Sequence, residues 1–508
     1  MAIQLAPGVY IEELPSATRS IAGVSTAVCL FVGAAARGPT EPTAVTSWTE
    51  FERRFGGLLA SSDMTYAVRH FFDNGGRRAI IRRIHNGAVA ASAWRSFDGT
   101  NVRFVATSPG AWGNALRIDV GLTGGSFSAG DAFDLTILER IGQANVVREK
   151  HYGLSLDERS DRFAPEVLQT DSERLAVELG GTPPGAVTAV DATTVELVDG
   201  TNGNALTSTQ YDANLIANID FNLLVVPFPP EDDSEITDAQ RIAFWQAASL
   251  VCQTKRAFAI IDPPVGWGST ASLDADIPQA TGLLAGLRTA AGREYAAVYF
   301  PRVRAPDALA ENALRTFGPS GMIAGIYART DSERGVFKAP AGVQASLSGS
   351  LALDVLVDDA TQATYNQEGI NVLRAFPSYG RVVWGARTIE GLDRLGSEWK
   401  YIPVRRTANF LEESLRRGIQ WAVFEPNDEP LWSQLRLNVG AFMHQQFRAG
   451  AFAGSTPREA YFVKCDAETT PQEDIDAGRV NVVVGWAPLR PAEFVIIRIQ
   501  QITRPSSV

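Results

Sequence analysis

Lysine is scarce in this 508-residue chain, with five copies, and none of them follows a glycine. A Walker loop needs Gly-Lys-Ser/Thr to bring an ammonium and a hydroxyl to the phosphates, so that mode of nucleotide binding is excluded. The four histidines, His70, His85, His151 and His444, are isolated from one another. Neither HExxH nor HxH occurs, which argues against a catalytic metal site. The three cysteines, Cys29, Cys252 and Cys465, lie far apart and form no CxxC. Neither a zinc cluster nor a redox pair is available, and this usage suits a reducing compartment. Cys29 and Cys252 sit inside apolar runs and read as small core residues. No G-x-S-x-G nucleophile elbow occurs. There is no block of like charge: 46 basic residues stand against 57 acidic ones, a net charge of -11. That balance disfavours a general nucleic-acid-binding face, and direct association with a membrane for the same reason. The N-terminus carries Glu12 and Glu13 and lacks a basic start with a long apolar core, so it does not read as a signal peptide. The longest apolar stretch near it, Ala27 to Ala36, is about half a membrane span. Assembly in the cytoplasm is expected, with release by lysis.

What is present is an ordinary globular composition, 45% hydrophobic. The length suggests about three domains. Residues 1 to 24 read as an N-terminal arm, with Val9, Tyr10 and Ile11 suited to a strand and Pro7 and Pro15 set against helix. From 25 to 87 the pattern is compact α/β. AVCLFVGAAA is a buried-strand run, Ser47 and Glu50 have capping-box spacing, and Gly56-Gly57 stops the helix. Met64 to Asp73 reads as a second helix and Ala79 to Ile84 as a strand. Short alternating runs between 88 and 207 (VRFVA, LRIDVGL, FDLTILER, TTVELV) predict an inserted antiparallel β domain. The α/β texture returns over 208 to 365, with strands at Asn222 to Phe228 and Ala257 to Asp262 and helices at Ile236 to Gln253 and Ile277 to Arg288. A C-terminal domain is expected over 366 to 490. There Leu411, Leu415 and Ile419 share one helical face, and Leu431, Leu435, Val439 and Phe442 another. Glu412–Arg416 and Glu413–Arg417 have the favourable order for helical ion pairs. Strands are expected at Val480 to Trp486 and Glu493 to Ile502, the latter in an arm from 491 to 508.

The remaining candidates for chemistry read as structure. GWGSTA (Gly266 to Ala271) follows a strand ending at Asp262, but Pro263-Pro264 breaks the tight turn that a dinucleotide site requires. Asp262 itself sits where α/β enzymes place carboxylates, and a cap or turn role is the commoner one there. Gly318 to Gly321 is a turn by the same reasoning. The acidic loop Asp466 to Arg479 lacks the ligand spacing of a calcium loop. No catalytic, cofactor-binding or metal residue is assigned, and no cofactor is expected. An α/β hydrolase would need a nucleophile and a base that this chain does not offer.

Three long stretches carry a family resemblance: PGVYIEELPS with IAGVSTAVCLFVGAAARGPTEPTAVTSWTEFERRFGG, SPGAWGNALRI, and RRTANFLEESLRRGIQWAVFEPNDEPLW with CDAETTPQEDIDAGRVNVVVGWAPLRPAEFVIIRI. In this order the chain resembles contractile tail sheath proteins over most of its length. The resemblance implies a subtilisin-like α/β core domain interrupted by an outward-facing antiparallel β domain, plus an α+β C-terminal domain nearest an inner tube, with extended N- and C-terminal arms. Subtilisin-like here refers to topology alone. It also implies hexameric rings stacked around a tube protein, with baseplate and terminal cap proteins as further partners and contraction as the function. The arms would add strands to neighbouring subunits through Val9, Tyr10, Ile11, Glu12, Glu13 and Leu14 at one end and Phe494, Val495, Ile496, Ile497, Arg498 and Ile499 at the other. The C-terminal run is apolar on both alternating faces, an aggregation-prone edge unless a neighbour covers it. Tube-facing candidates are Glu473, Asp474, Arg436 and Arg448. A phage-like injection system is favoured over a true phage tail.

Overall fold

The computed structural model describes residues 20–97, 99–122, 131–185, 187, 189, 194–229, 236–279, 282–494 and 496. The chain forms two compact units, Thr26–Arg405 and the residues up to Ser25 together with those from Arg406 onward.

In the larger unit β1 (Cys29–Gly33) is followed by β2 (Thr43–Val45), α1 (Trp48–Phe55), α2 (Asp63–Asp73) and β3 (Ala79–Arg83). Ser47 caps α1 by accepting from Glu50 N–H at 3.2 Å, and Gly56, at φ 91°, ends it. The Glu50 carboxylate reaches one residue further back than a capping box requires, to Thr46 N–H at 2.8 Å. The inserted segment then runs β4 (Ser92–Phe97), β5 (Thr100–Ala106), β6 (Leu116–Leu122), β7 (Phe133–Ile141), β8 (Ala144–Leu154), α3 (Ala164–Asp171), β9 (Leu175–Leu179) and β10 (Val195–Glu196). It holds two antiparallel sheets, β4-β5-β9 and β10-β6-β7-β8, around a core of its own that includes Phe97, Phe104, Ile118 and Leu135. Its entering and leaving chains pair at Asn86–Asn204 and Val89–Thr201. The buried Arg83 holds that neck in place, donating to the carbonyls of Ala35, Gly38 and Pro109 at 3.0, 2.8 and 2.6 Å.

The chain returns through α4 (Asn214–Ala217), β11 (Leu223–Val225), α5 (Asp238–Lys255), β12 (Phe258–Ile261), α6 (Thr270–Asp276), α7 (Leu283–Arg288) and β13 (Ala296–Phe300). A small sheet of β14 (Val303–Asp307), β15 (Ala313–Phe317) and β16 (Ala352–Leu353) brackets α8 (Ser320–Arg334). Next come α9 (Asp359–Gln367), β17 (Ile370–Phe376) and β18 (Gly380–Val383). The main sheet has the order β18-β17-β13-β12-β11-β1-β3-β2, parallel from β17 to β3 and antiparallel at both edges. Both of its faces are covered, which explains why its strands are continuous apolar runs. In β1, Cys29 and Phe31 join one core with α2 and α8, while Leu30 and Val32 join the other with α5 and α7. Two bare positions on α8 let it approach α2: a Cβ on Gly321 would lie 2.4 Å from the Ala67 carbonyl oxygen, and one on Gly325 2.5 Å from that of Phe71.

Two expectations need correcting here. The domain boundary at 365/366 falls inside this unit, because β17 and β18 complete the main sheet. Asn371 interrupts the apolar run INVL and hides the strand, yet it is fully buried and satisfied by the Val298 carbonyl and by Arg387 N–H and C=O. The helix expected over Ile277 to Arg288 is confined to α7, Leu283–Arg288, while α6 ends at Asp276 just before Ile277-Pro278, where a proline cannot continue a helix.

In the smaller unit α10, whose full span is Ile402–Gly418, and α11 (Glu429–Arg448) precede α12 (Pro457–Ala460), β19 (Tyr461–Lys464), α13 (Gln472–Asp476) and β20 (Val483–Trp486). Asp428 caps α11 through Leu431 N–H, and Leu431, Leu435, Val439 and Phe442 are all buried. β20 is the short end of the strand expected over Val480 to Trp486, and among the described residues β19 and β20 pair only with each other.

Candidate assembly surfaces

The place where an α/β sheet offers a ligand site, beyond the C-terminal ends of its strands, is occupied by structural contacts here. A cavity of about 40 Å³ lies there, lined by Asp63, Arg241, Asp262, Arg302 and neighbouring prolines. Asp262 caps α8, accepting from Ser320 N–H at 2.8 Å and Ser320 Oγ at 2.7 Å. Burial pushes its carboxyl above the usual range, against the pull of those two bonds. Asp63 accepts from Arg315 at 2.5 Å. Trp267, in the glycine loop, is buried against Phe300, and Ser269 caps α6. His70 lies buried edge-on to Phe317, its pKa lowered to about 4 by desolvation, so it is neutral core. Among the described residues no group of three His, Cys, Asp or Glu could hold a metal ion. None of their helices is long and apolar enough to cross a membrane.

The chain termini are the informative regions, and both belong to the smaller unit. Val9 to Leu14, together with Val495, Ile497, Arg498 and Ile499, lie outside the described residues. Phe494 and Ile496 stand 75% and 79% exposed and join no strand. The root of the N-terminal arm runs along α10. Ile21 is buried against Gly418, Gly23 lies under Phe410, and Val24 N–H donates to Ser414 Oγ at 3.1 Å. The two-stranded sheet β19–β20 exposes Phe462 and Val483, at 51% and 44%. A two-stranded sheet alone is marginal in water.

The charged candidates divide. Arg436 pairs with Glu429 at 2.5 Å and donates to the Cys465 carbonyl. Asp474 accepts from Arg479 at 2.7 Å and from Asn481 at 2.6 Å, closing the acidic loop on itself. Glu473 and Arg448 are exposed and make no ion pair among the described residues. On α10, Glu413 takes Arg416 at 2.6 Å as well as the expected Arg417 at 2.6 Å. Those bonds, first from Arg416 and then from Arg417, hold its carboxyl down at about 2. Sequence reading passed over one residue of this unit altogether. Phe424, between α10 and α11, is fully exposed at φ 71°, and no periodicity marks it.

Residues 396–502 match the phage tail sheath C-terminal domain. The chain is 24% identical to the tail sheath protein of Burkholderia phage BcepMu over 516 residues, covering 97% of this chain and 96% of that protein. Its fold is similar to the contracted helical sheath of the anti-feeding prophage, with 26% identity, a TM-score of 0.59 and coverage of 98% of this chain and 100% of that one. It is also similar to the contracted sheath complex of an extracellular contractile injection system, PVC, with 24% identity, a TM-score of 0.58 and 99% coverage of both chains. With sequence and fold similar along nearly its whole length, this chain carries a phage tail sheath C-terminal domain and resembles contractile tail sheath proteins throughout, and the relatives it matches are structural sheath proteins of phage tails and injection particles.

Proposed function

We propose that this chain polymerises as stacked hexameric rings around an inner tube and shortens as a lattice to drive that tube through a target envelope. The observation that carries the reading is the state of the smaller unit. It combines a β19–β20 pair that joins no other strand among the described residues with Phe494 and Ile496, which stand exposed outside any strand. Each supplies what the other lacks, and between neighbouring subunits the arms complete the sheet by strand addition. Linked in this way, subunits stay connected as the lattice passes from an extended to a lower-energy state. No nucleotide or cofactor takes part. The core has the subtilisin-like topology of the family, the β insertion faces outward, and the unit carrying β19–β20 lies nearest the tube. Glu473 and Arg448 are the residues left to meet the tube. A baseplate and a terminal cap bound the sheath. The identity to the anti-feeding prophage sheath favours a phage-like injection system, and neighbouring genes for capsid and terminase would reverse that. Electron microscopy of the purified protein tests the assembly: hollow sheaths are expected, and a lone monomer at high concentration, or shortening coupled to nucleotide hydrolysis, would refute it.

A further inference from the structure

The corner between α10 and α11 is built from the inside and bare on the outside. Ile419, Trp421 and Ala422 pack inward against Leu431, Trp432, Leu435 and Cys465. The next two residues turn the other way, with Val423 62% exposed and Phe424 103% exposed. Phe424 also holds a left-handed backbone, φ 71°, which a bulky side chain rarely adopts. A strained backbone that presents a bare aromatic ring needs a partner to account for it.

The course of the N-terminal arm indicates which partner. Going backward along the chain, Val24 lies at Ser414 and Ile21 at Gly418, so the arm root runs antiparallel to α10. The described chain begins at Ser20, next to Ile21, which packs on Gly418 at the C-terminal end of α10. Val423 and Phe424 follow that end by five and six residues. The preceding segment, Met1 to Arg19, carries Ile3, Leu5, Val9, Tyr10, Ile11 and Leu14. Nineteen residues can extend about 60 Å, far more than the corner requires. A tether this short gives an effective concentration on the order of millimolar, so a contact with a Kd of about 1 mM is half occupied within one chain.

We propose that in the free subunit the N-terminal segment docks on its own Val423–Phe424 corner, and exchanges to a neighbour when the sheath assembles. The docking stands on this corner and the arm root alone, whereas the exchange rests on the sheath reading above. A parked arm withdraws a polymerising strand from solution and shields an exposed aromatic ring, keeping the subunit monomeric until a growing end offers a better partner.

The native cysteines are all buried, so introduced thiols can be read cleanly. The full-length protein carrying Tyr10→Cys and Val423→Cys is treated with a short bifunctional maleimide at concentrations below assembly. The expected product is a cross-link within one chain, with its yield independent of protein concentration. Adding Phe424→Asp should lower that yield at least about fivefold, and hydrogen exchange at residues 9 to 14 should rise in the same variant without the cysteines. Phe424→Gly relieves the left-handed backbone, so a variant at least as stable as the parent that still loses the cross-link assigns the effect to the ring. An unchanged yield in Phe424→Asp overturns the docking, as does a product formed only between chains. A corner that becomes protected only when tube protein is added overturns it too. Failure of the sheath reading would appear separately, as absence of sheaths in micrographs whatever the cross-link result.

Discussion

Replacing Phe494 and Ile496 by alanine tests strand exchange without deleting any backbone. Both side chains are about three-quarters exposed in the free subunit, at 75% and 79%. Full burial of such a side chain contributes about 1.5–3 kcal/mol. At three-quarters of that, each contributes about 1–2 kcal/mol to the joint, and the pair about 2–4 kcal/mol. Each 1.4 kcal/mol is tenfold in an equilibrium constant, so the critical concentration for sheath formation should rise about 30- to 700-fold. The backbone hydrogen bonds of the added strand, about 0.5–1.5 kcal/mol each, remain available to the variant. Association entropy consumes about 4–15 kcal/mol, so one weakened arm places assembly near its limit, and deleting everything after Pro491 should abolish it. The assay is pelleting of sheaths across a concentration series, with micrographs of each pellet and circular dichroism to establish that the subunit remains folded. An unchanged critical concentration in the folded double variant would refute the reasoning, because these side chains would then not be buried in the joint.

Three further outcomes are expected. Exchanging the insertion, residues 88 to 207, for a short Gly/Ser linker should leave some sheath assembly, although Arg83 loses the Pro109 carbonyl from its three partners; complete loss in a folded variant, seen by microscopy, contradicts an outward decoration. Gly321→Ala places a Cβ 2.4 Å from the Ala67 carbonyl oxygen and should destabilise the larger unit by about 1–3 kcal/mol, less up to about 1 kcal/mol of helix propensity; limited proteolysis that finds α8 no less protected would contradict that packing. Glu413, held at about 2 against an ordinary 4.5, contributes stability above about pH 4.5 that is lost as pH falls toward 2; thermal unfolding of Glu413→Gln between pH 6 and 3 should therefore show a shallower acid limb than the parent.

Sequence alone determined what depends on neighbours along the chain. Ser47, Gly56 and Asp428 mark helix ends because caps act within a turn, and all three do so in the structure. The run AVCLFVG announced a strand buried on both faces because each face of the sheet receives a helix layer. The helical stripe from Leu431 to Phe442 was legible because its period is that of the helix itself. The long motifs at both ends and in the C-terminal domain marked the family, since many residues in a fixed order are far more specific than any short pattern. Tertiary structure decided whatever depends on distant partners. Asp262 is a cap for a helix that begins 58 residues later, and nothing near it in the chain announces Ser320. Asn371 disguises a central strand until Val298 and Arg387 are brought beside it. Arg436 and Asp474 looked free to meet a tube, yet folding pairs them with Glu429 and with Arg479 and Asn481. Phe424 belongs to no periodic pattern, and its full exposure on a left-handed backbone emerges only in the folded chain. Caps and periodic faces are local interactions and can be read from spacing, whereas burial and pairing across hundreds of residues arise only when the chain closes on itself.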